Sequence, residues 1–152
     1  MKPKEFIESV LINEMKDVVF RHPYLSFLLI SVGVEFLGKC LLTDHQDWND
    51  IRPEKAFEEG AGLLYKIDSR YKELNLRDEL RNGFAHTFIP KSKIALSEVR
   101  SGAKNFQIHS SGKTVLVVEE FYRDFVVACR EVINTGFSKE DKMNKEILYI
   151  GP

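Results

Sequence analysis

Apolar residues at Phe6, Ile7, Val10, Leu11, Met15, Val18 and Val19 recur every three or four positions with polar residues between them. That period predicts an amphipathic helix from about Lys4 to Phe20. His22-Pro23 interrupts it, and Pro23 suits the first turn of a second helix running to about Leu42. Thr43 to Arg52 is polar and reads as a loop. Pro53 opens a third helix through Phe57, Leu63, Leu64 and Ile67, although Gly60 and Gly62 each weaken helix propensity by about 1 kcal/mol relative to Ala. A fourth helix is expected from about Tyr71 to Phe88, ended by Pro90, because the residue before a proline avoids the helical region.

The period then changes. Residues 93–99, 105–108 and 114–118 are short runs of strand-forming residues separated by Ser101-Gly102 and Ser111-Gly112, the pattern of a hairpin or small meander. Helix returns over Glu119 to Asn134, with Gly136 as its stop. The fold class predicted is mainly α: a bundle of about five helices with a small antiparallel β insertion before the last long helix. The chain reads as one domain over residues 1–152, with 93–118 as the insertion and 137–152 as a C-terminal tail. Within that tail the apolar run Ile147 to Ile150 is expected to pack back on the body.

Composition narrows the function classes. A chain of 152 residues buries about 68–70% of its unfolded surface, enough for one core without disulfides or a structural metal. Eleven Phe residues and 11% aromatics exclude a disordered chain. With 22 basic and 23 acidic residues the formal net charge is −1, which excludes coating nucleic acid by bulk charge but leaves room for a local basic patch. Cys40 and Cys129 stand far apart in apolar stretches, which makes no disulfide framework or zinc spacing and fits a reducing compartment.

The N-terminus lacks the continuous apolar stretch of a signal peptide, since Glu8, Asn13, Glu14, Lys16 and Asp17 interrupt it. Tyr24 to Leu42 is apolar enough to suggest a membrane span. Glu35 and Lys39 inside it favour a buried core helix instead, because an acid near a span's centre costs about 2.5–3.5 kcal/mol on insertion. The expectation is a soluble, cytoplasmic protein with no membrane contact and no cofactor.

Several motifs carry little. Ser111-Gly112-Lys113-Thr114 resembles the end of a phosphate-binding loop, but Gln107 stands where its first glycine belongs and a strand follows. It reads as a hairpin turn. Asp44-His45-Gln46-Asp47 offers ligand-type side chains but reads as a solvated loop, so no metal site is predicted. Ser69-x-x-Lys72 and Ser110-x-x-Lys113 match a common nucleophile pattern, and Cys40 beside Lys39 reads as an inert core thiol.

The run Arg77 to Phe88 is more informative. On an α-helical wheel Leu76, Leu80, Phe84 and Phe88 fall within about 120°, while Arg81, Ala85, Asp78, Asn82 and His86 spread from about 140° to 280°. A guanidinium, an amide and an imidazole thus share the face opposite the core, with small Ala85 between them. Asn82 and His86 are i,i+4 neighbours, so the amide is expected to orient the ring. Arg is a fixed fork for phosphate oxygens and His exchanges protons near neutral pH, a pairing that suits phosphodiester chemistry. A solvated surface face is the plain alternative.

Arg81-Asn82-x-x-Ala85-His86-x-Phe88, late in a helix of a small bundle, resembles the signature of the HEPN domain superfamily, and the likeness spans residues 4–135. The resemblance implies a metal-independent endoribonuclease in which the Arg and His of two protomers meet at a homodimer interface. By position, His86 would act as general base or acid, Arg81 would stabilise phosphate charge, and Asn82 would orient His86 or the phosphate. The product would be a 2′,3′-cyclic phosphate. Some members carry a Tyr two residues after His; Phe88 stands there, which removes any role needing a hydroxyl. Others are non-catalytic modules that bind a nucleotide or a protein. The family context suggests a toxin–antitoxin or phage-defence system, with an antitoxin or nucleotidyltransferase-like partner.

Two features support the site. Glu35 on the most apolar helix needs a partner, expected to be Arg81 or Lys39; Glu35 and Asp78 are therefore supporting residues. Lys91, Lys93, Arg100, Lys104 and Lys113 against Glu98 alone make the insertion locally basic, a candidate RNA-binding surface. Edge-strand protection by lysines is the ordinary alternative. A plain scaffold bundle working through the apolar tail is the third reading.

Overall fold

The computed structural model describes residues 1–43, 46–136 and 146–151. Among them are six α-helices, interleaved with π-helical and 3-10 turns, and one two-stranded sheet. The first helical rod is α1 (Pro3–Phe6), a π-helical stretch over Ile7–Glu14, and α2 (Met15–Arg21). It is widened by bonds such as Met15 N–H to the Val10 carbonyl. Ile7, Leu11, Met15 and Val19 form its buried stripe. His22, off the helical region at φ −134°, makes the break, and Pro23 starts α3 (Pro23–Leu42) as the sequence predicts.

α3 is long and apolar enough to cross a bilayer, yet 56% of its most apolar window is buried inside the protein. It packs on α4 (Pro53–Ile67) at backbone contact. A Cβ on Gly38 would lie 1.6 Å from the Ala56 carbonyl oxygen, and one on Gly60 would lie 1.9 Å from that of Val34. The loop between the two helices holds a 3-10 turn at Trp48–Asp50, capped by the Asp47 carboxylate on Asn49 N–H. Asp44 and His45 lie outside the described residues.

The helix expected over Tyr71 to Phe88 is three pieces. A 3-10 turn, Ser69–Leu74, starts at Asp68, whose carboxylate accepts from Arg70 N–H, and it ends at Asn75 in the left-handed region (φ 51°). A π-helical stretch, Arg77–Asn82, then runs into the short α5 (Gly83–Thr87). Local side-chain caps and an Asn that tolerates left-handed backbone outcompete a continuous helix here.

The insertion differs from expectation in strand direction. β1 (Ile94–Ser97) and β2 (Thr114–Val117) pair in parallel, Ile94 against Thr114 and Ser97 against Val117. Parallel pairing needs a long crossover, and residues 98–113 supply it through a 3-10 turn at Val99–Ser101 and a returning segment. That returning segment makes the antiparallel contact the sequence suggests. Val115 lies opposite both Phe106 and Gln107, and Ile108 bridges Thr114, with Phe106 bulged out at φ 64°. β2 is thus central, flanked by one parallel and one antiparallel neighbour.

α6 (Val118–Glu131) follows β2 directly and ends in a π turn at Val132–Gly136. Its Phe121 and Phe125 sit fully buried with Phe27, Phe57, Tyr71 and Phe84. Cys40 and Cys129 are buried and free, and burial pushes both thiols above their ordinary range. Tyr71 Oη donates to Asp124 Oδ2 at 2.7 Å inside this core. Residues 137–145 of the expected tail lie outside the described residues. Ile147 exchanges two backbone hydrogen bonds with Met1, but Leu148, Tyr149 and Ile150 are exposed rather than packed on the body.

Candidate functional site

The Arg81 side chain leaves the π-helical stretch toward α3, where its Nε donates to Glu35 Oε2 at 3.0 Å. Both members are largely sheltered, with side-chain exposures of 29% and 14%. Of the two partners the sequence leaves open for Glu35, Arg81 is the one chosen. Lys39 instead lies over the Trp48 ring, 5.7 Å from its centroid. Glu35 engages only Nε, so among the described residues Nη1 and Nη2 of Arg81 have no hydrogen-bond partner. Those two nitrogens form one edge of the planar fork that suits bidentate contact with phosphate or carboxylate.

Asn82 does not orient His86. Its amide instead acts on the carboxyl of Asp78, the other i±4 neighbour, in the lowering direction. Asp78 in turn accepts from Lys91 Nζ at 2.5 Å, and that ammonium, more than Asn82, holds its carboxyl below the usual range. The wheel assumes uniform α spacing, and the π-helical stretch breaks that assumption just before the motif's second half. His86 is exposed on α5 beside exposed Ala85 and has no partner among the described residues. Arg81 and His86 make no hydrogen bond to one another.

Three residues that the sequence reading passed over position this segment. Gly83 lets the chain fold back across the helix: a Cβ there would lie 2.6 Å from the Ile89 carbonyl oxygen. Glu79 is buried, its carboxylate accepting from Lys93 N–H at 3.0 Å and its backbone carbonyl from Lys91 N–H at 3.2 Å. Tyr24, at the start of α3, donates from Oη to the Phe88 carbonyl at 2.7 Å and sets its ring 5.3 Å from Phe84. Phe88 takes the left-handed position (φ 58°) that ends α5. The glycine inside the motif was the one readable hint, since helices seldom place Gly mid-run without a close approach.

The basic residues of the insertion do not form one patch. Lys91 is held by Asp78, and Arg100 pairs with Glu98 at 3.1 Å. Lys104 is exposed on the connection. Only Lys93 and Lys113 come together, on a cavity of about 410 Å³. Ser111-Gly112 forms the turn read from sequence, with Gly112 at φ 82° and its N–H on the His109 carbonyl. Among the described residues no three His, Cys, Asp or Glu side chains converge as metal ligands.

The chemistry this arrangement offers is therefore a guanidinium fixed through one nitrogen, an exposed, unpartnered imidazole five positions along the chain, and a turn clamped behind the segment. Comparison with protein-family models, with curated proteins and with solved structures gives no match to this chain.

Proposed function

We propose that the protein is a HEPN-like, metal-independent endoribonuclease that works as a homodimer in the cytoplasm. The observation that carries this reading is the posture of Arg81: Glu35 holds Nε while both terminal nitrogens stay unpartnered, five positions before an exposed, unpartnered His86. A pre-set guanidinium stabilises charge on a phosphate without reorganising. His86 then takes the 2′-hydroxyl proton as O2′ attacks phosphorus. The P–O5′ bond breaks, the leaving oxygen is protonated, and a 2′,3′-cyclic phosphate remains.

A dimer supplies the rest of the reading. Leu25, Leu29 and Val32 form an exposed apolar strip along α3, and Glu35 lies about 60° around the helix from Val32. The Arg81–Glu35 pair therefore borders an apolar surface that a second copy would cover, bringing two motif segments together. An antitoxin or nucleotidyltransferase-like protein is the partner this reading expects.

The same ion pair also favours a second reading, a non-catalytic module that binds a nucleotide or a protein, because Arg81 is already engaged within one protomer. One experiment separates the two. Purified protein is incubated with mixed RNA in EDTA beside Arg81→Ala and His86→Ala, and cleavage and cyclic ends are scored. The nuclease reading expects cleavage by the wild type and loss of at least 100-fold in either variant, in line with removal of a charge-stabilising or proton-transfer group. No cleavage by folded, dimeric protein selects the binding module. A Leu29→Asp, Val32→Asp double variant, sized by ultracentrifugation, is expected to be monomeric and inactive.

A further inference from the structure

We propose that the cavity between the 3-10 turn Ser69–Leu74 and the β insertion binds the phosphate ester of a nucleotide, either free or within an RNA chain. The argument begins with register. Ile94 pairs with Thr114 in parallel, so the preceding residues, Lys93 and Lys113, stand abreast at the entrance to the two strands. Thr114 N–H donates to the Lys93 carbonyl at 2.9 Å, which fixes that adjacency. Like charges directly opposite one another destabilise a sheet. Neither ammonium has a carboxylate partner among the described residues. Both line the same cavity, and Arg70 lines it from across, with Glu73 as the only acid. Two unpaired ammonium groups abreast at one concavity are relieved by an anion.

The cavity also has a flat platform. Arg70 is held on Asp68 through Nε at 3.0 Å and Nη2 at 2.7 Å. Its guanidinium lies over the Phe106 ring, 4.4 Å from the centroid. Tyr71 meets that ring edge-on at 4.9 Å, so Phe106 is wedged in place at its bulged, left-handed position. Guanidinium planes and aromatic rings are the surfaces on which bases stack. Ser92 and Ser111 add hydroxyls to the wall, and about 410 Å³ lies within the usual range of small-molecule sites. Charge for a phosphate and a stacking surface for a base thus meet in one concavity. The inference does not rest on cleavage by Arg81 and His86, which lie outside it.

The test is equilibrium binding at about 0.1 M salt by calorimetry and fluorescence anisotropy. Its probes are AMP, inorganic phosphate and a fluorescent 2′-O-methyl RNA oligonucleotide that cannot be cleaved through O2′. Wild type is expected to bind AMP or the oligonucleotide, with the nucleotide favoured over inorganic phosphate. Lys93→Ala, Lys113→Ala is expected to weaken that binding at least tenfold. AMP competing with the oligonucleotide identifies a site for the free nucleotide as well; RNA binding without AMP binding identifies a backbone site. The proposal is overturned if wild type binds neither probe. It is equally overturned if the double variant, folded by circular dichroism, binds as tightly as wild type. Single variants Lys93→Gln and Lys113→Gln, each expected to show a partial loss, cover the case of a misfolded double variant.

Discussion

Arg81 Nε lies 3.0 Å from Glu35 Oε2, and through this contact the motif turn is tied to the most apolar helix of the chain. Glu35 is largely sheltered there, and the guanidinium is its hydrogen-bond partner among the described residues. Glu35→Ala is expected to lower unfolding free energy by about 1–3 kcal/mol, the range for a hydrogen bond to a charged group. Arg81→Ala should cost a similar amount, and the double variant less than the two together. A urea double-mutant cycle measures that coupling. Strictly additive losses would mean the pair contributes nothing as a pair.

Gly38 and Gly60 let α3 and α4 touch backbone to backbone. A Cβ on Gly38 would meet the Ala56 carbonyl oxygen at 1.6 Å, and on Gly60 that of Val34 at 1.9 Å. Ala is the better helix former by about 1 kcal/mol, so propensity alone predicts stabilisation from either substitution. Sterics predict the reverse, because the atoms met are backbone and cannot swing aside. Gly38→Ala and Gly60→Ala are each expected to destabilise by about 2–4 kcal/mol, at or above the usual range for overpacking. Gly62→Ala, with open space around its Cβ position, is expected to be neutral or stabilising. Thermal melts of the three variants decide between propensity and packing.

Those glycines also show where sequence reasoning stopped. Pro23 and Pro53 marked two helix starts correctly, continuous apolar content found α3, and spaced apolar positions found α4 and α6. Gly60 counted against α4, because what a glycine is for depends on a neighbour far along the chain. The Glu35–Arg81 pair was foreseeable from one rule, that a buried carboxylate needs a cation. The missing contact between Asn82 and His86 was not, since uniform α spacing makes them neighbours and the π-helical stretch departs from that spacing. Strand direction was hidden as well. The turn at Ser111-Gly112 specified its own antiparallel contact but said nothing of β1, which arrives in parallel through a crossover.

Tyr71 and Asp124 make a buried polar contact of a different kind. Tyr71 Oη donates to Asp124 Oδ2 at 2.7 Å, and Asn105, whose Oδ1 accepts from Val117 N–H, acts on the same phenol in the lowering direction. Burial, followed by the bond to Asp124, raises the phenol well above the ordinary tyrosine range. The hydroxyl thus ties the 3-10 turn Ser69–Leu74 to α6. Tyr71→Phe keeps the ring and leaves Asp124 short of a donor, so it is expected to cost about 1.5–3 kcal/mol. If this contact carries the junction, amide exchange should quicken in the Ser69–Leu74 turn more than in α3. Uniform acceleration would make the loss a global one.

Asp78 gives the pH dependence its sign. Its carboxyl is held below the usual range first by the hydrogen bond from Lys91 Nζ and then by Asn82. A carboxyl depressed in the folded state binds its proton more readily when unfolded, so it adds stability above the unfolded value of about 3.9. That contribution fades as pH falls through the lower, folded value. Wild type and Asp78→Asn are therefore expected to differ by a constant amount from pH 7 to 5. The gap should narrow below about pH 4 and close at still lower pH. Lys91 and Asp78 are 50% and 43% exposed, so 1 M salt should shrink the gap at neutral pH. Urea unfolding across that pH series is the measurement. A gap that widens toward acid would mean that the Asp78 charge opposes folding, and that Lys91 is held over the motif turn by the Glu79 carbonyl alone.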